Sequence, residues 1–409
     1  MLTPAHRQAG LVRGGADHVG IAFLAIIALV VLYAFLPSLG HAPRGDQWPF
    51  LMDMMRQESC GDFISHSYSY NRTRVILPGD TALFRPLLFV YLSLMACMGG
   101  THLWFPQAAG IALHLGVAWL AFTVFRGLLV EITANRVAAN VVAALAALYF
   151  ATTPAIMEQV IWAHVNAYLL ATLCVLGVIR VQMAAVANGG ITPRQVAATL
   201  ALSAIACFSF EPALFLPLLL ALCAAAGWLP AAKAAVSIRS RLCLAMLFLA
   251  PVAIYLGAYV LDQHLHPVED DAWMGSLGKR SASLDTAMNL VRFLAFSVAY
   301  PFVAGKPEGF TGTRLLVAEP SQALALIVAV LLACIAGVVI AGGYAARRLA
   351  ERPRRAALLA GAITLSWLVA IALMFTIGRI NPNPSSPTVL ATSSYQSYAP
   401  YLAATLLLV

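Results

Sequence analysis

Six ionisable side chains fall next to the ends of long apolar runs, at positions where a polar group would meet a membrane surface. They are Asp46, Asp53, Arg85, Glu158, Glu211 and Arg379. A carboxylate can take a proton from a hydroxyl group, and the planar fork of a guanidinium can bind two oxygens of an anion. An ion-coupled transporter would place such groups near the midplane. The pattern therefore favours an enzyme whose substrate is half lipid and half polar.

The composition requires a lipid environment for most of the chain. Hydrophobic residues make up 61% of the 409 residues and charged residues only 10%, whereas a soluble domain carries about 25% charged residues. A bilayer core roughly 30 Å thick takes about 20 apolar residues per helix. We therefore predict an all-α, polytopic membrane protein with about ten transmembrane helices and additional helices at the interface, forming one domain over residues 1–409.

Breaks at charged residues, glycine and proline divide the apolar runs into separate spans. The predicted spans lie near 20–39, 104–125, 137–153, 159–179, 196–210, 213–230, 243–261, 320–342 and 356–378. A tenth run begins near 398 and reaches the last residue, so we expect the natural chain to continue past residue 409.

Most of the 25 lysines and arginines lie in short loops on the side of the amino terminus. Because short cytoplasmic loops are enriched in Lys and Arg, this side is predicted to be cytoplasmic. The alanine-rich, lysine-poor composition is associated with bacteria that have GC-rich genomes, so we expect a multi-pass protein of the bacterial inner membrane with its site at the periplasmic face. The seven cysteines are scattered and predict neither a disulfide framework nor a metal site.

Two predicted periplasmic loops, 40–103 and 262–318, are too long to be simple connections. In the first, the apolar segment 82–97 is short for a span and is interrupted by Arg85-Pro86, so we predict a helix lying at the interface. In the second, the amphipathic segment 284–303 predicts another surface helix.

Four short motifs stand next to the predicted spans. They are Phe84-Arg85-Pro86-Leu87 followed by Gly99-Gly100 and His114, Thr153-Pro154-Ala155-Ile156-Met157-Glu158-Gln159-Val160-Ile161-Trp162, Phe208-Ser209-Phe210-Glu211 and Tyr398-Ala399-Pro400. These motifs resemble those of the GT-C glycosyltransferases, most closely the transmembrane O-mannosyltransferases associated with tetratricopeptide repeats. They occur in the order and at the predicted topological positions that the family has. The resemblance covers roughly residues 20–409.

Three positions depart from the family pattern by losing a cation. Asn166 stands where the family has an arginine after the tryptophan motif, Phe210 where it has a lysine, and Tyr395 where it has an arginine. We therefore carry over the superfamily and not the mannosyl specificity.

The resemblance implies transfer of a sugar, with inversion, from a polyprenyl-phosphate donor to a periplasmic or cell-surface acceptor. The acceptor is a glycan, a lipid or a protein. The acidic residue just after the first span is essential in that superfamily, and Asp46 holds this position here. A single displacement needs a carboxylate on the face opposite the leaving group, which makes Asp46 the expected catalytic base.

The leaving phosphate needs stabilisation of its charge. Arg85 is the first expected donor-phosphate ligand and Arg379 the second. Side chains expected to shape the site are Asp53, Glu158, His164, Asn166, Glu211 and Tyr398.

Each of these residues also has a plainer interpretation. Asp46 could be a solvated turn residue, and Arg85 could extend to lipid phosphates. Asp53 could stabilise a helix, or serve a metal or the surroundings of the site. Glu158 and Glu211 could be solvated at span ends. His114 and Asn166 are expected to make hydrogen bonds between helices.

No cofactor is assigned and no metal ligand is named. A divalent cation, Mg or Mn, stays an open alternative, because the spacing of Asp46 and Asp53 does not decide it. The lipid bilayer is an expected partner and nucleic acid is not. A transporter or lipid-sugar flippase, and a non-catalytic relative of the enzymes, are the alternative functions.

Overall fold

The computed structural model describes most of the first 265 residues and three later segments. The described ranges are 18–40, 84–100, 104–133, 135–152, 156–229, 237–265, 304–308, 312–315 and 351–375, with 52, 56, 59–62, 64 and 102. The predicted spans near 320–342 and 398 and the predicted surface helix 284–303 lie outside the described residues.

The described part of the chain is mostly helical, as predicted. The helices in chain order are α1 (His18–Phe35), α2 (Pro86–Gly99), α3 (Trp104–Thr133), α4 (Arg136–Thr152), α5 (Met157–Ile161), α6 (Asn166–Ala187), α7 (Pro193–Ser209), α8 (Phe215–Ala225), α9 (Ile238–Leu265) and α10 (Glu351–Phe375). Short 3₁₀ turns at Leu36–Gly40, Ala163–Val165 and Glu211–Leu214 follow α1, α5 and α7.

Four helices in the described ranges are long and apolar enough to cross a membrane. They are His18–Gly40, which includes the turn after α1, Trp104–Val130, Asn166–Ala187 and Ile238–Asp262. Shorter apolar helices are Pro86–Gly99, Arg136–Thr152, Glu211–Ala225 and Ala357–Ile371. These helices indicate a membrane protein; the total of ten spans stays a prediction.

One predicted span is interrupted. Hydropathy predicted a single helix over 159–179, but Trp162 has an extended backbone, with φ −102° and ψ 95°. An extended residue cannot continue the i to i−4 hydrogen bonds of an α-helix. The chain therefore makes the short helix α5 and a 3₁₀ turn, and the long helix α6 begins only at Asn166.

Local sequence explains where several helices begin. Thr192 and Gln195 form a capping box before α7, with the Thr192 amide donating to Gln195 Oε1 at 2.8 Å. Asn135 caps α4 by accepting from the amides of Val137 and Ala138 at 3.0 and 3.1 Å. Pro86 occupies the first turn of α2, where its missing N–H costs nothing.

Helix α3 lies at the centre of the described bundle and packs against α1, α4 and α6. Phe122 and Phe125 of α3 are fully buried, and α4 meets α3 with a buried row of alanines that includes Ala143 and Ala147. Lipid supplies no hydrophobic drive between helices, so close backbone approach through small residues is the expected basis of their packing. Buried polar bonds add to it, such as Gln182 Nε2 to Thr199 Oγ1 at 3.0 Å.

Helix α2 contacts the ends of three longer helices. Its Leu88, Leu92 and Ala96 pack against Ala163 and Ala167, where α6 begins. Elsewhere it meets the first turn of α3 and the chain just after α7, through the Gly99–Phe105 and Arg85–Glu211 contacts. With 14 residues, α2 is roughly 21 Å long. These ends therefore lie at one face of the bundle, and α2 contacts all three of them; that it lies at a membrane interface stays a prediction.

Two short strands lie within the second long loop. Strand β1 (Ala304–Glu308) pairs antiparallel with β2 (Gly312–Leu315), with Glu308 opposite Gly312 and Ala304 opposite Leu315. The sequence analysis did not predict this hairpin.

Replacing Gly110 by alanine should destabilise the bundle. A Cβ atom there would collide with the carbonyl oxygen of Val160 and lie 3.1 Å from Asn166 Nδ2. We expect an overpacking cost of about 1–3 kcal/mol, which exceeds the helix-forming gain of alanine. Thermal unfolding in detergent, followed by tryptophan fluorescence, measures it.

Gly257→Ala is the matched control, because Gly257 is exposed on α9 and a Cβ there meets nothing within 4 Å. An unchanged or raised Tm for Gly257→Ala, beside a lowered Tm for Gly110→Ala, is the expected result. Equal Tm values for the two variants would contradict the close approach of α3 to the chain before α6.

Candidate functional site

An ion pair between Arg85 and Glu211 joins two residues that lie 126 positions apart. Arg85 Nε donates to Glu211 Oε2 at 2.7 Å. The Arg85 side chain is only 9% exposed and that of Glu211 23%. The two residues that the sequence analysis named separately, as a phosphate ligand and as a shaping residue, are therefore one unit.

The chain positions both charges just outside helices. Arg85 directly precedes α2, with φ −127° and ψ 61°, because a residue before proline is disfavoured in the helical region. Phe210 is extended, with φ −157° and ψ 116°, and ends α7. Glu211 follows it, also before a proline, so its side chain reaches across to the start of α2.

Aromatic rings surround the ion pair. The guanidinium carbon of Arg85 lies 5.0 Å from the centre of the Phe210 ring, within range of a cation–π interaction. The Phe210 ring in turn contacts Tyr168 of α6 and Trp367 of α10, with centroid separations of 4.3 and 5.9 Å. The ion pair therefore lies where α2, α6, α7 and α10 meet.

A second aromatic group fixes the backbone beside Arg85. Phe84 packs against Phe208 of α7 and against Tyr255 and Tyr259 of α9. The Tyr255 hydroxyl donates to the Phe84 carbonyl oxygen at 3.1 Å. The backbone next to Arg85 is thus tied to α9, so that the position of Arg85 depends on a fifth helix.

The ion pair leaves hydrogen-bonding capacity unused. A guanidinium has five N–H donors, and among the described residues Arg85 uses only Nε in a side-chain hydrogen bond. Glu211 Oε1 is buried and has no partner among them. Burial disfavours the charge on Arg85, but Glu211 outweighs this together with nearby tyrosines, so the pKa of Arg85 is raised. The guanidinium remains a cation with donors to spare.

Asn166 makes the second polar contact of α2. Its Nδ2 donates to the Tyr91 hydroxyl at 2.9 Å, and its Oδ1 is buried with no hydrogen-bond partner in the part of the chain that the structure describes. His114 of α3 bonds the Ala151 carbonyl oxygen of α4 at 3.0 Å. Both hydrogen bonds join different helices, which confirms that part of the sequence analysis.

The structure leaves the other predicted site residues untested. Asp46, Asp53, Arg379 and Tyr398 lie outside the described residues. Glu158 belongs to α5 and His164 to the 3₁₀ turn before α6, but their side chains are not among those described. Within the described ranges, no group of three or more His, Cys, Asp or Glu side chains could hold a metal ion.

Sequence reasoning missed three features near α2. Tyr91 and the Phe210 ring lie in apolar runs, where a functional contact gives no local signal. The third feature is a disulfide between Cys60, in the first long loop, and Cys97 of α2, with Cα atoms 5.7 Å apart. Cys97 also lies in an apolar run, so only the fold could show this pairing.

Removing one partner of the ion pair should destabilise the protein more than removing both. Glu211→Leu leaves the buried guanidinium of Arg85 uncompensated, at an expected cost of about 3 kcal/mol. The apolar pair Arg85→Met with Glu211→Leu should cost less than Glu211→Leu alone, and so less than the two single changes added together. Thermal unfolding of the four proteins in one detergent measures the coupling, and simple additivity of the two changes would contradict it.

Comparison with known proteins found no match: no family model, no curated protein and no solved structure is similar to this chain.

Proposed function

We propose that the protein is a GT-C-like glycosyltransferase that moves a sugar from a polyprenyl-phosphate donor to an acceptor at the membrane surface. The observation that carries the proposal is the partly satisfied guanidinium of Arg85, held by Glu211 where α2 lies across the helix ends. A cation with spare donors at the end of a helical bundle suits the phosphate of a lipid-linked substrate.

The proposed reaction is one displacement at the anomeric carbon. The acceptor hydroxyl oxygen forms the new bond while the bond from that carbon to the phosphate oxygen breaks. Asp46, in the loop between α1 and α2, takes the hydroxyl proton. The polyprenyl phosphate leaves with the bonding electron pair, and Arg85 stabilises its negative charge. Attack opposite the leaving group inverts the configuration.

The apolar character of α2 supports a lipid-borne donor. Val90, Leu94 and Met98 are exposed on α2 and spaced so that they share one side of the helix. An apolar side next to a cation at one terminus matches a substrate with a hydrocarbon chain and a phosphate. The exposed apolar side of α2 offers no polar group to the base and ribose of a water-soluble nucleotide-sugar donor.

The disulfide supports a periplasmic site. Disulfides persist in oxidising compartments such as the bacterial periplasm and are rare in the cytosol. Cys97 belongs to α2, the helix that Arg85 precedes. A bacterial inner-membrane protein with a cytoplasmic amino terminus would place this face outside, in agreement with the distribution of Lys and Arg.

The transporter alternative has less support in the described residues. The central parts of the four candidate spans carry no Asp or Glu, and the charged residue nearest a span centre, Arg180 of α6, is exposed. Ion-coupled transport generally uses such groups near the midplane. The described charge with spare donors lies instead at the helix ends, which favours surface chemistry.

Asp46→Asn should abolish sugar transfer without changing membrane insertion. The test incubates purified protein with a panel of decaprenyl-phosphate monosaccharides and bacterial envelope as acceptor, and measures released decaprenyl phosphate by mass spectrometry. We expect a loss of at least about 100-fold, since general-base catalysis contributes about 10²–10⁴-fold.

Asp62→Asn is the matched control, because Asp62 is an exposed carboxylate in the same loop. It should transfer as the natural protein does. Undiminished release with Asp46→Asn would overturn the assignment of the base, and no release by the natural protein with any donor would overturn the proposed function.

Cys60 and Cys97 should resist a thiol reagent until they are reduced. A variant that retains only these two cysteines should react with a membrane-impermeant maleimide after mild reduction of intact spheroplasts, and not before. Labelling before reduction would contradict the disulfide. Labelling that requires permeabilised membranes would contradict the outward orientation.

A further inference from the structure

We propose that Glu211 is a positioning residue that aims the terminal nitrogens of Arg85 at the donor phosphate. This inference rests on the proposed function, in which Arg85 binds the phosphate of a polyprenyl-phosphate sugar. It adds a role for a second residue, which would touch the guanidinium and not the substrate.

Glu211 occupies only one edge of the Arg85 guanidinium. Its Oε2 accepts from Nε at 2.7 Å, and the structure places no further hydrogen bond between the two side chains. A guanidinium has a second edge formed by Nη1 and Nη2, which can bind two oxygens at once. With Glu211 at Nε, this terminal edge stays available for a phosphate.

The Phe210 ring and Glu211 together restrict the orientation of the guanidinium plane. The Phe210 ring centre lies 5.0 Å from its central carbon, and Phe210 is fully buried. The ring restricts one side of the guanidinium, and Glu211 restricts rotation about the last bonds of the side chain. Because Phe210 and Glu211 are adjacent residues, one short segment after α7 sets both position and orientation.

The unused hydrogen-bond donors of Arg85 favour a positioning role for Glu211 over a role in stability alone. A buried ion pair kept for stability alone is best when both partners have all their hydrogen bonds. Here Arg85, which is nine-tenths buried, uses one of its five donors among the described residues. Unused buried donors call for a ligand with acceptor oxygens. A phosphate provides several acceptor oxygens for the unused donors.

The experiment compares Glu211→Gln, Glu211→Asp and the charge exchange Arg85→Glu with Glu211→Arg. The probe is decaprenyl phosphate, titrated into purified protein in nanodiscs and followed by native mass spectrometry. Transfer kinetics are measured with whichever decaprenyl-phosphate sugar the natural protein uses, and Tm is recorded for every variant.

Glu211→Gln keeps an acceptor oxygen and loses the charge. We expect it to weaken binding of decaprenyl phosphate about tenfold, equivalent to about 1.4 kcal/mol, and to raise KM for the donor with kcat nearly unchanged. Glu211→Asp keeps the charge and should recover most of the affinity. Asp62→Asn, at an exposed carboxylate, is the control and should bind and transfer as the natural protein does.

The charge exchange separates the position of the guanidinium from the mere presence of an ion pair. It restores an ion pair between the two elements, so its Tm should exceed that of Arg85→Glu alone, which leaves two carboxylates facing each other. It also moves the guanidinium to the other side of the pair, so binding of decaprenyl phosphate should not return. Recovery of both Tm and binding would overturn the proposal, because the direction in which the guanidinium points would then not matter.

Failure of the proposed function and failure of the positioning role alone give different results. If the natural protein neither binds decaprenyl phosphate nor transfers sugar, the proposed function fails and this inference fails with it. If the natural protein does both and Glu211→Gln is unchanged in Kd and KM, only the positioning role is wrong.

Discussion

A guanidinium that is nine-tenths buried must be met by an opposite charge, and this requirement organises the described fold. Removing such a group from water costs several kcal/mol unless a partner is in place. Glu211 supplies the partner from 126 residues further along the chain. To bring the two together, α7 must end at an extended Phe210 and α2 must begin at Pro86. The surrounding rings of α6, α9 and α10 then shield Arg85 from most water, while Glu211 stays partly exposed.

The described bundle that carries the ion pair is held together by close helix packing and by hydrogen bonds between helices. Small residues, such as Gly110 and the buried Ala147, allow α3, α4 and the start of α6 to approach closely. Polar side chains within it are used for bonds between helices, as with Gln182 and Thr199. The Arg85–Glu211 ion pair lies at one end of the described bundle, outside these bonds between helices.

Hydropathy predicted the helices well because burial in lipid depends on local composition. It failed at Trp162, where a single extended residue interrupts an apolar run without changing its hydrophobicity. Arg85 and Glu211 were both recognised as candidates, but their pairing could not be predicted, because a contact across 126 residues leaves no local pattern. The Cys60–Cys97 bridge escaped for the same reason. An aromatic side chain at position 210 likewise becomes intelligible only in three dimensions, since its ring lies against the guanidinium of Arg85, which a cation there would repel.

The brevity of several helices has a consequence for the surrounding bilayer. Helix α8 has 11 residues and α4 has 17, so each is shorter than the roughly 30 Å of hydrocarbon that a bilayer offers. Such hydrophobic mismatch is relieved by local thinning of the leaflet. Headgroups beside α2 would then sink toward the helix ends, and a lipid phosphate would descend to the depth of Arg85 without leaving its own layer.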